Sequence, residues 1–288
     1  LILFMLKKVL IIGASSNLGA YLMKDFSRDY EVTGTYLNNK KTGMKNLNIT
    51  DENQVAKIIN KENPKIIILA SAISNVEQCE KNQKKAIMIN YECVRKIVNF
   101  CKNRKLIFYS TDAVFDGSKK EFKEQDEKNP KTIYGKSKSE AEEIIKTLPD
   151  YLIIRTARFY STNKKNKKFI NLVIGSLKEG KEITAPIETP GNPTLIDDVS
   201  RITLDLVKKD RKGIYHVAGP GKYSLYDTAL KIAEIFKLNK SLIRKVNRDF
   251  NSPVPRVCSY LNTEKIQKEG YNLISLDDGL KKLEQEFK

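Results

Sequence analysis

Short apolar runs alternate with amphipathic stretches through the first half of the chain. Runs with so few polar positions are typical of strands that are buried on both faces of a sheet. The predicted strands are Val9–Ile12, Glu31–Tyr36, Lys65–Ala70, Leu106–Tyr109 and Tyr151–Arg155. Each is followed by a polar or glycine-containing segment and then by a stretch with helical periodicity.

The amphipathic stretches between these runs predict helices that cross from one strand to the next. Thr50 and Asp51 provide the side chains expected at a helix N-terminus. One amphipathic stretch follows the first strand and ends at Arg28, and a second runs from the Thr50–Asp51 cap to Lys61. A long helical region is predicted over Val76–Lys102, and a further helix carries Tyr134. A regular alternation of strand and helix predicts an α/β fold with a doubly wound, mostly parallel, Rossmann-like sheet.

The pattern changes after about residue 160. Four residues that break regular structure fall close together and predict irregular connections: Pro186, Pro190, Gly191 and Pro193. The elements predicted beyond 160 are a helix over 197–207, a strand over Ile214–Gly219 and helices over Leu225–Phe236 and Leu276–Phe287. We therefore expect a first domain over residues 1–160 and a smaller C-terminal region over 161–288, with some segments returning to the first domain.

Composition is that of a globular protein with a strongly basic surface. The 288 residues carry a formal net charge of +17, with 40% hydrophobic and 30% charged residues. Such a charge raises the question of nucleic-acid binding. The lysines are scattered, however, and the densest run, Lys164–Lys168, belongs to no nucleic-acid-binding motif. We expect no nucleic-acid partner, and a positive field would concentrate an anionic substrate such as a sugar nucleotide.

The cysteine spacing and the N-terminal segment indicate in which cellular compartment the protein is expected. Cys79, Cys93, Cys101 and Cys258 form no C-x-x-C pair, so we predict neither a zinc site nor a disulfide scaffold. The opening apolar residues 1–6 are far fewer than the roughly 20 that a membrane span needs. We expect a cytoplasmic protein without a membrane segment or bound metal, and Met5 as its natural start.

A glycine-containing turn follows the first strand and opens a helix. Gly13 would permit the tight turn, and Gly19 would permit close packing of helix and strand. Amide groups at the helix N-terminus would then face a pyrophosphate. The residues expected to contact a dinucleotide at this turn are Gly13, Ser15, Ser16, Asn17, Leu18 and Gly19. An ordinary strand–helix connection is the alternative, since Ser16 stands where a middle glycine is common.

The segment after the second strand bears on the choice of cofactor. A ribose-binding Asp or Glu is expected there in NAD-binding proteins. The chain has Asn38, Lys40 and Lys41 instead, and these lysines could meet a 2′-phosphate. We therefore predict NADP, with NAD as the lesser alternative. Solvated loop lysines would explain the same residues without a ligand.

Tyr134 and Lys138 are candidates for acid–base chemistry. Their spacing of four residues places them on the same face of a helix. A phenol has an unperturbed pKa of about 10, and a nearby cation would lower it toward the range useful for proton transfer. The spacing alone is weak, because Tyr36/Lys40 and Tyr160/Lys164 share it. The strand end at Ser110–Thr111, which would supply a second hydroxyl, distinguishes the middle pair.

His216 is the only histidine and lies in an apolar predicted strand. A structural role is therefore favoured over a catalytic one. A serine hydrolase is also disfavoured, because this histidine would have to serve as its base.

These motifs resemble the extended short-chain dehydrogenase/reductases, and within them the dTDP-4-dehydrorhamnose reductase family. The likeness covers nearly the whole chain. It rests on Gly13-x5-Gly19, Cys79-Glu80 through Asn90, the segment Ser110–Gly117, Tyr134–Lys138, Arg155-Thr156, Pro193-Thr194 before Asp197-Asp198, Gly213–Gly219 and Pro255-Arg256. The serine–threonine–aspartate segment followed by Tyr-Gly-Lys-x-Lys is far more specific than either piece alone.

The resemblance implies roles for individual residues. Thr111, Tyr134 and Lys138 would be the catalytic trio, with Tyr134 and Lys138 also contacting the cofactor. Further cofactor contacts would come from Asn48, Ile49, Ala70, Ser71, Ala72 and Asn90. Substrate contacts would come from Ser74, Asp112, Ala113, Arg158 and Pro193. Two of these depart from the family pattern, because aromatic residues are usual where Ala113 and Arg158 stand.

The function implied is NADPH-dependent reduction of the 4-keto group of a nucleotide-linked 6-deoxysugar, with dTDP-4-dehydro-L-rhamnose as the expected substrate. The first domain would bind the cofactor, and the C-terminal region would bind the sugar nucleotide. Two alternatives stay open: a non-catalytic regulatory subunit resembling the methionine adenosyltransferase β subunit, and a nucleotide-sugar epimerase or dehydratase. A homodimer is a possible assembly.

Overall fold

The computed structural model describes residues 6–163, 169–187, 190–247 and 259–287. Several features singled out in the sequence lie outside these ranges: Met5, the lysine run 164–168, the Pro255-Arg256 pair and Cys258. The chain divides into two compact units. The first comprises residues 1–114, 128–155 and 200–215, and the second comprises 115–127, 156–199 and 216–288. The sugar- and cofactor-binding roles expected for the two parts of the chain stay predictions.

Strands and helices alternate along much of the chain. The strands are β1 (Lys8–Ile12), β2 (Glu31–Tyr36), β3 (Lys45–Asn46), β4 (Ile66–Leu69), β5 (Lys105–Thr111), β6 (Tyr151–Thr156), β7 (Phe159–Tyr160), β8 (Ile183–Pro186), β9 (Thr194–Leu195), β10 (Gly213–His216) and β11 (Ile243–Val246). The α-helices are α1 (Asn17–Phe26), α2 (Glu52–Glu62), α3 (Val76–Lys81), α4 (Gln83–Ile87), α5 (Cys93–Val98), α6 (Ile133–Ile145), α7 (Phe169–Lys178), α8 (Ile196–Lys208), α9 (Leu225–Ile235), α10 (Glu264–Lys268) and α11 (Leu276–Glu286).

The first unit is built on a seven-stranded sheet in the order β10-β6-β5-β4-β1-β2-β3, counted over the described residues. The pairs β1–β2, β1–β4, β4–β5 and β2–β3 are all parallel. This arrangement confirms the predicted doubly wound, mostly parallel sheet. The strand order reverses between β1 and β4, and ligands of open α/β sheets bind at the carboxyl ends of strands at such a point.

The core of the first unit lies between this sheet and helices α2, α5 and α6. Apolar side chains from the central strands meet one face of each helix, because β4 and β5 are buried along their whole length. Residues from each layer include Leu10, Ile67, Phe108, Ile59, Val94, Ile97, Ala141 and Ile145. Burial of these side chains fixes the helices against the sheet and so positions the loops at its carboxyl edge.

The second unit has short strands and its own core. Strands β8 and β11 pair in parallel, as do β7 and β9. The core draws on α7, α9 and α11, and its members include Tyr160, Ile174, Ile232 and Leu280. In the part of the chain that the structure covers, no helix is both long enough and apolar enough to span a bilayer.

Some elements differ in detail from the sequence prediction. The helical region predicted over Val76–Lys102 is helical from Val76 to Val98, but it is interrupted at Asn82, and a π-helical turn, Met88–Glu92, joins α4 to α5. The predicted strand Ile214–Gly219 is shorter and ends at His216. Pro186 was predicted to lie in an irregular connection, but it ends β8, which has one strand partner and so tolerates a proline.

Candidate functional site

The turn after β1 is built on two glycines. Gly13 has a φ of +86°, and a Cβ on it would lie 2.8 Å from the Ser71 nitrogen. Only glycine fits there, because both the backbone conformation and the space exclude a side chain. A Cβ on Gly19 would lie 2.3 Å from the Gly13 carbonyl oxygen, so α1 approaches the turn closely. The turn and the close helix packing predicted for these glycines are confirmed.

Ser16 and Asn17 at the start of α1 differ in their hydrogen bonding. Ser16 is the N-cap, since its Oγ accepts a hydrogen bond from the Gly19 amide at 3.0 Å and donates to the Ala70 carbonyl at 3.3 Å. Asn17 Nδ2 is buried without a hydrogen-bond partner among the described residues. A buried donor beside a helix N-terminus suits an anionic ligand, because the amides and the helix dipole already favour negative charge.

The other predicted cofactor residues also belong to the first unit. Asn38, Lys40 and Lys41 are exposed in the loop after β2. Asn48 Oδ1 accepts hydrogen bonds from the Thr50 amide and hydroxyl, at 3.1 and 2.8 Å, so this oxygen shapes the approach to α2. The remaining predicted residues near the sheet edge are Ser15, Leu18, Ile49, Ala70, Ser71 and Ala72, with Ser74 next to them in the chain. Their contacts with a cofactor or sugar stay predictions.

Asn90 lies in the π-turn and is 1% exposed. Its Oδ1 accepts from the Ile73 amide at 2.9 Å, and its Nδ2 donates to the Ile73 carbonyl at 3.0 Å and to Ser137 Oγ at 3.3 Å. Ser137 Oγ in turn donates to the Tyr134 carbonyl at 2.9 Å. The Asn90 side chain therefore connects the loop after β4 to α6.

Thr111 ends β5 and is 6% exposed. Its hydroxyl donates to Asp112 Oδ1 at 2.9 Å and accepts from the Ala113 amide at 3.2 Å. Helix α6 begins nearby, capped by Thr132, whose Oγ1 accepts from the Gly135 amide at 3.0 Å. The start of α6 must lie close to the segment after β5, because a Cβ on Gly135 would lie 2.1 Å from the Ala113 carbonyl oxygen.

Tyr134 and Thr111 are brought together by this packing. Burial raises the pKa of the Tyr134 phenol above its ordinary value, and hydrogen bonding to Thr111 opposes that rise. The negative charge of Asp112 raises the pKa further. The expected lowering of the Tyr134 pKa by a neighbouring cation is wrong for this structure, because desolvation disfavours the phenolate more than the surroundings favour it.

Lys138 follows Tyr134 by one turn of α6 and is 3% exposed. Its ammonium lies 3.7 Å from the centre of the Phe108 ring. Burial lowers the pKa of Lys138 to about 7, and the Glu142 carboxylate opposes the change. The other two Tyr-x3-Lys pairs differ from this one. Lys40 lies in an exposed loop, and Lys164 is outside the described residues.

A buried ion pair one turn further along α6 was not identified from the sequence. Glu142 is 0% exposed, and its two oxygens accept from Nε and a terminal nitrogen of Arg155 at 2.9 and 2.8 Å. Lys128 Nζ lies 3.1 Å from the same carboxylate. Burial would raise the pKa of Glu142, but Arg155 and Lys128 lower it to about 2. The spacing from Lys138 to Glu142, again four residues, was a usable signal.

The predicted substrate residues are distributed over both units. Asp112 and Ala113 directly follow Thr111 in the first unit. Arg158 and Pro193 belong to the second unit. Arg158 has a φ of +44°, and one of its terminal nitrogens donates to the Tyr223 carbonyl at 3.3 Å. Pro193 is buried. Whether any of these residues contacts a sugar stays a prediction.

His216 is 0% exposed in the second unit. Its Nδ1 lies 3.0 Å from the Asn262 carbonyl oxygen, and its ring meets Phe115 edge-on with centroids 5.9 Å apart. These contacts are those of a side chain built into the core, as the sequence favoured.

Comparison with protein families places the chain in one group. The model of the RmlD substrate binding domain family matches residues 7–288. The chain belongs to this family. The resemblance to dTDP-4-dehydrorhamnose reductases and the extended short-chain dehydrogenase/reductase type is thereby confirmed.

Individual relatives include polysaccharide-biosynthesis proteins and a regulatory subunit. The spore coat polysaccharide biosynthesis protein SpsK of Bacillus subtilis is 30% identical over 271 residues, which is 91% of this chain and 92% of that protein. The dTDP-4-dehydrorhamnose reductase of Aggregatibacter actinomycetemcomitans is 31% identical over 78% of each chain. Methionine adenosyltransferase 2 subunit beta of Danio rerio is 27% identical, over 82% of this chain and 76% of its own.

A solved structure shares the whole architecture. The dTDP-4-dehydrorhamnose reductase of Bacillus anthracis, determined in complex with NADP, superposes with a TM-score of 0.88. It is 27% identical in sequence, and the match covers 98% of this chain and 100% of that one. The α/β fold inferred from the apolar runs is therefore that of a reductase with a known nicotinamide cofactor.

Proposed function

We propose that the protein is an oxidoreductase that uses NADPH to reduce the 4-keto group of a nucleotide-linked 6-deoxysugar. The specific reaction proposed is conversion of dTDP-4-dehydro-L-rhamnose to dTDP-L-rhamnose. The observation that carries the proposal is the pairing of the Tyr134 phenol with the Thr111 hydroxyl, one helical turn from the buried Lys138. Similarity to dTDP-4-dehydrorhamnose reductases supports the same reaction.

The residues at the carboxyl edge of the sheet fit a dinucleotide. Gly13 allows the tight turn to pack against the backbone at Ser71, and the start of α1 supplies amide donors together with Asn17 Nδ2, which has no hydrogen-bond partner among the described residues. When bound, the reduced nicotinamide supplies the hydride that is added to C4 of the sugar. Lys138 would hold the nicotinamide ribose, and its ammonium would be favoured by the nearby Glu142 carboxylate.

Tyr134 is proposed to protonate the oxygen at C4. As negative charge develops on that oxygen, the phenol donates its proton, and the Thr111 hydroxyl exchanges its hydrogen bond to Asp112 for one to the oxygen. The raised pKa of Tyr134 keeps its proton in place before the reaction. A phenol that is protonated at neutral pH suits the direction of reduction, in which the side chain acts as an acid.

NADPH is proposed over NADH because of the loop after β2. Lys40 and Lys41 are exposed there, and the loop has no carboxylate that would repel a 2′-phosphate. The Bacillus anthracis neighbour was determined with NADP. Substrate contacts are proposed for Ser74, Asp112, Ala113, Arg158 and Pro193. A cytoplasmic location and a homodimeric assembly also belong to this proposal.

The direct test is incubation of the protein with NADPH and a panel of nucleotide-linked 4-keto sugars, followed at the absorbance band of the reduced nicotinamide. Tyr134→Phe keeps the ring and removes the acidic proton. We expect its turnover to fall by about two to four orders of magnitude while NADPH affinity is largely kept. Near-full activity of Tyr134→Phe would show that another group is the acid.

A regulatory subunit is the second candidate, because methionine adenosyltransferase 2 subunit beta is among the relatives. Such a protein would bind a dinucleotide and a partner enzyme without turnover of its own. The sugar panel separates the two candidates. Absence of NADPH oxidation with every sugar, together with tight binding of a partner enzyme, would favour the regulatory subunit.

A further inference from the structure

We propose that Glu80 is a positioning residue for Tyr134, because its carboxylate fixes the first turn of the helix that carries the phenol. The inference rests on the proposed function for its catalytic consequence. The hydrogen bond on which it is built is a feature of the fold and can be tested separately.

The contact joins two elements that are far apart in the chain. Glu80 lies near the end of α3, and its Oε1 accepts a hydrogen bond from the amide of Ile133 at 2.8 Å. Ile133 is the first residue of α6 and Tyr134 is the second. The first amides of a helix have no acceptor within the helix, so one from outside fixes the position as well as satisfying the donor.

The local cap of α6 cannot fix the position of the first turn within the unit. Thr132 accepts from the Gly135 amide, and both residues belong to the helix start itself. That bond defines where the helix begins but not where its first turn lies in the unit. Glu80 provides this second constraint because it comes from α3, whose own position is fixed independently.

Burial of Cys79 and its hydrogen bond to Ile73 hold α3 in place. Asn75 caps the helix, with its Oδ1 accepting from the Gln78 amide at 2.8 Å, and so defines where α3 begins. Cys79, next to Glu80, is 0% exposed, and its Sγ donates to the Ile73 carbonyl at 3.3 Å. Ile73 is the residue to which Asn90 also hydrogen-bonds. Glu80 therefore extends from a well-anchored helix.

The first turn of α6 also meets the segment that follows Thr111. The approach of Gly135 to the Ala113 carbonyl leaves no room for a Cβ. Movement of this turn would shift the Tyr134 phenol relative to Thr111, and so relative to the sugar oxygen that both side chains are proposed to contact. A carboxylate is well suited to the position, because negative charge at a helix N-terminus interacts favourably with the helix dipole.

Three variants of the full chain separate this role from general stability. Glu80→Ala removes the acceptor, whereas Glu80→Gln keeps an oxygen that can accept from Ile133. Glu77→Gln is the matched control, since it changes an exposed carboxylate in the first turn of the same α3. The first measurement is hydrogen exchange at the Ile133 amide in the cofactor-free protein.

Exchange at Ile133 should quicken by about ten- to a hundredfold in Glu80→Ala, as expected for loss of a hydrogen bond to a charged group. Glu80→Gln and Glu77→Gln should each change it by less than about threefold. Unchanged exchange in Glu80→Ala, or an equal effect of Glu77→Gln, would overturn the proposal.

The second measurement is steady-state kinetics with NADPH and a sugar that the wild-type protein reduces. We expect kcat of Glu80→Ala to fall by about ten- to a hundredfold, with KM for NADPH within about threefold of wild type, because the helix turn moves and the cofactor turn does not. Glu80→Gln should recover most of kcat. A kcat within about twofold of wild type in Glu80→Ala would overturn the positioning role. If the wild-type protein reduces no sugar, the proposed function fails, and the exchange measurement alone decides the contact.

Discussion

Removal of the Glu142 charge tests how the catalytic helix is held. Glu142→Gln keeps the shape of the side chain but leaves the 2% exposed Arg155 without the carboxylate that faces it. A buried charge that loses its partner is strongly unfavourable. We therefore expect the free energy of unfolding near neutral pH to fall by about 3 to 5 kcal/mol.

The pKa of the Glu142 carboxylate gives an independent value for this loss of unfolding free energy. The pKa of Glu142 falls from its ordinary value of 4.5 to about 2, despite the burial that opposes this change, because Arg155 and Lys128 favour the charged form. That difference corresponds to about 3 kcal/mol. A lowered folded-state pKa means that this stabilisation is present above about pH 4.5 and is lost as the pH falls toward 2.

Urea denaturation followed by far-ultraviolet circular dichroism measures both effects, since the chain has no tryptophan to report on unfolding. The difference between wild type and Glu142→Gln should be largest near neutral pH and should shrink through about pH 4 to 3. Glu143→Gln is the control, because Glu143 also faces Lys128, at 2.7 Å, but its side chain is 53% exposed. Its cost should stay within about 1 kcal/mol.

A loss below about 1 kcal/mol in Glu142→Gln, or a loss that does not change between about pH 7 and pH 3, would refute this reasoning. Simultaneous replacement of both partners checks the cause. Glu142→Leu with Arg155→Met removes both charges of the pair and should recover most of the stability. If the double variant is as unstable as the single one, lost packing rather than the loss of this ion pair would be the explanation.

Two further predictions concern the cofactor and the start of α6. Replacement of Lys40 and Lys41 with alanine should weaken NADPH binding by about tenfold and leave NADH nearly unchanged in a binding titration, because only NADPH carries the extra phosphate; equal losses would contradict this role. Gly135→Ala should lower stability by about 1 to 3 kcal/mol and turnover by up to about a hundredfold, because its Cβ would lie 2.1 Å from the Ala113 oxygen. Gly175→Ala in α7, where no atom lies within 4 Å, should do neither.

Much of the first unit could be predicted because several of its strands, such as β1, β4 and β6, are apolar along nearly their whole length. Val9–Ile12 and Tyr151–Arg155 each match an observed strand to within one residue. The N-cap of α2 at Asp51 was also found, since its side chain accepts from the Gln54 amide. These features depend on local patterns that tertiary structure reinforces.

The second unit was harder to predict because its elements are short. Helix α7 and strand β8 were missed, and Pro186 was interpreted as a break although it ends that strand. In strands of so few residues the alternation of side chains is brief, and pairing with a distant partner decides the structure. The β8 partner, β11, lies more than fifty residues later in the chain.

The candidate site was located from the sequence, but its electrostatics were not. Spacing placed Tyr134 and Lys138 on one helix, which is correct. It did not reveal that Lys138 lies against Phe108 or that burial raises the pKa of Tyr134. Desolvation depends on every neighbour in three dimensions, and two residue types at a fixed interval cannot report it.

The number of residues in the π-turn at Met88–Glu92 helps to determine the geometry of the site. Each α-helical residue advances the side chains by about 100° around the axis, so one additional residue in a turn rotates everything beyond it by that angle. Deletion of a single residue from this turn could restore an unbroken α-helix with all its backbone hydrogen bonds. It would also change the angular phase between α4 and α5 and carry the Asn90 amide away from Ile73. A gap of one residue at this turn would therefore alter the site even if every other side chain were kept.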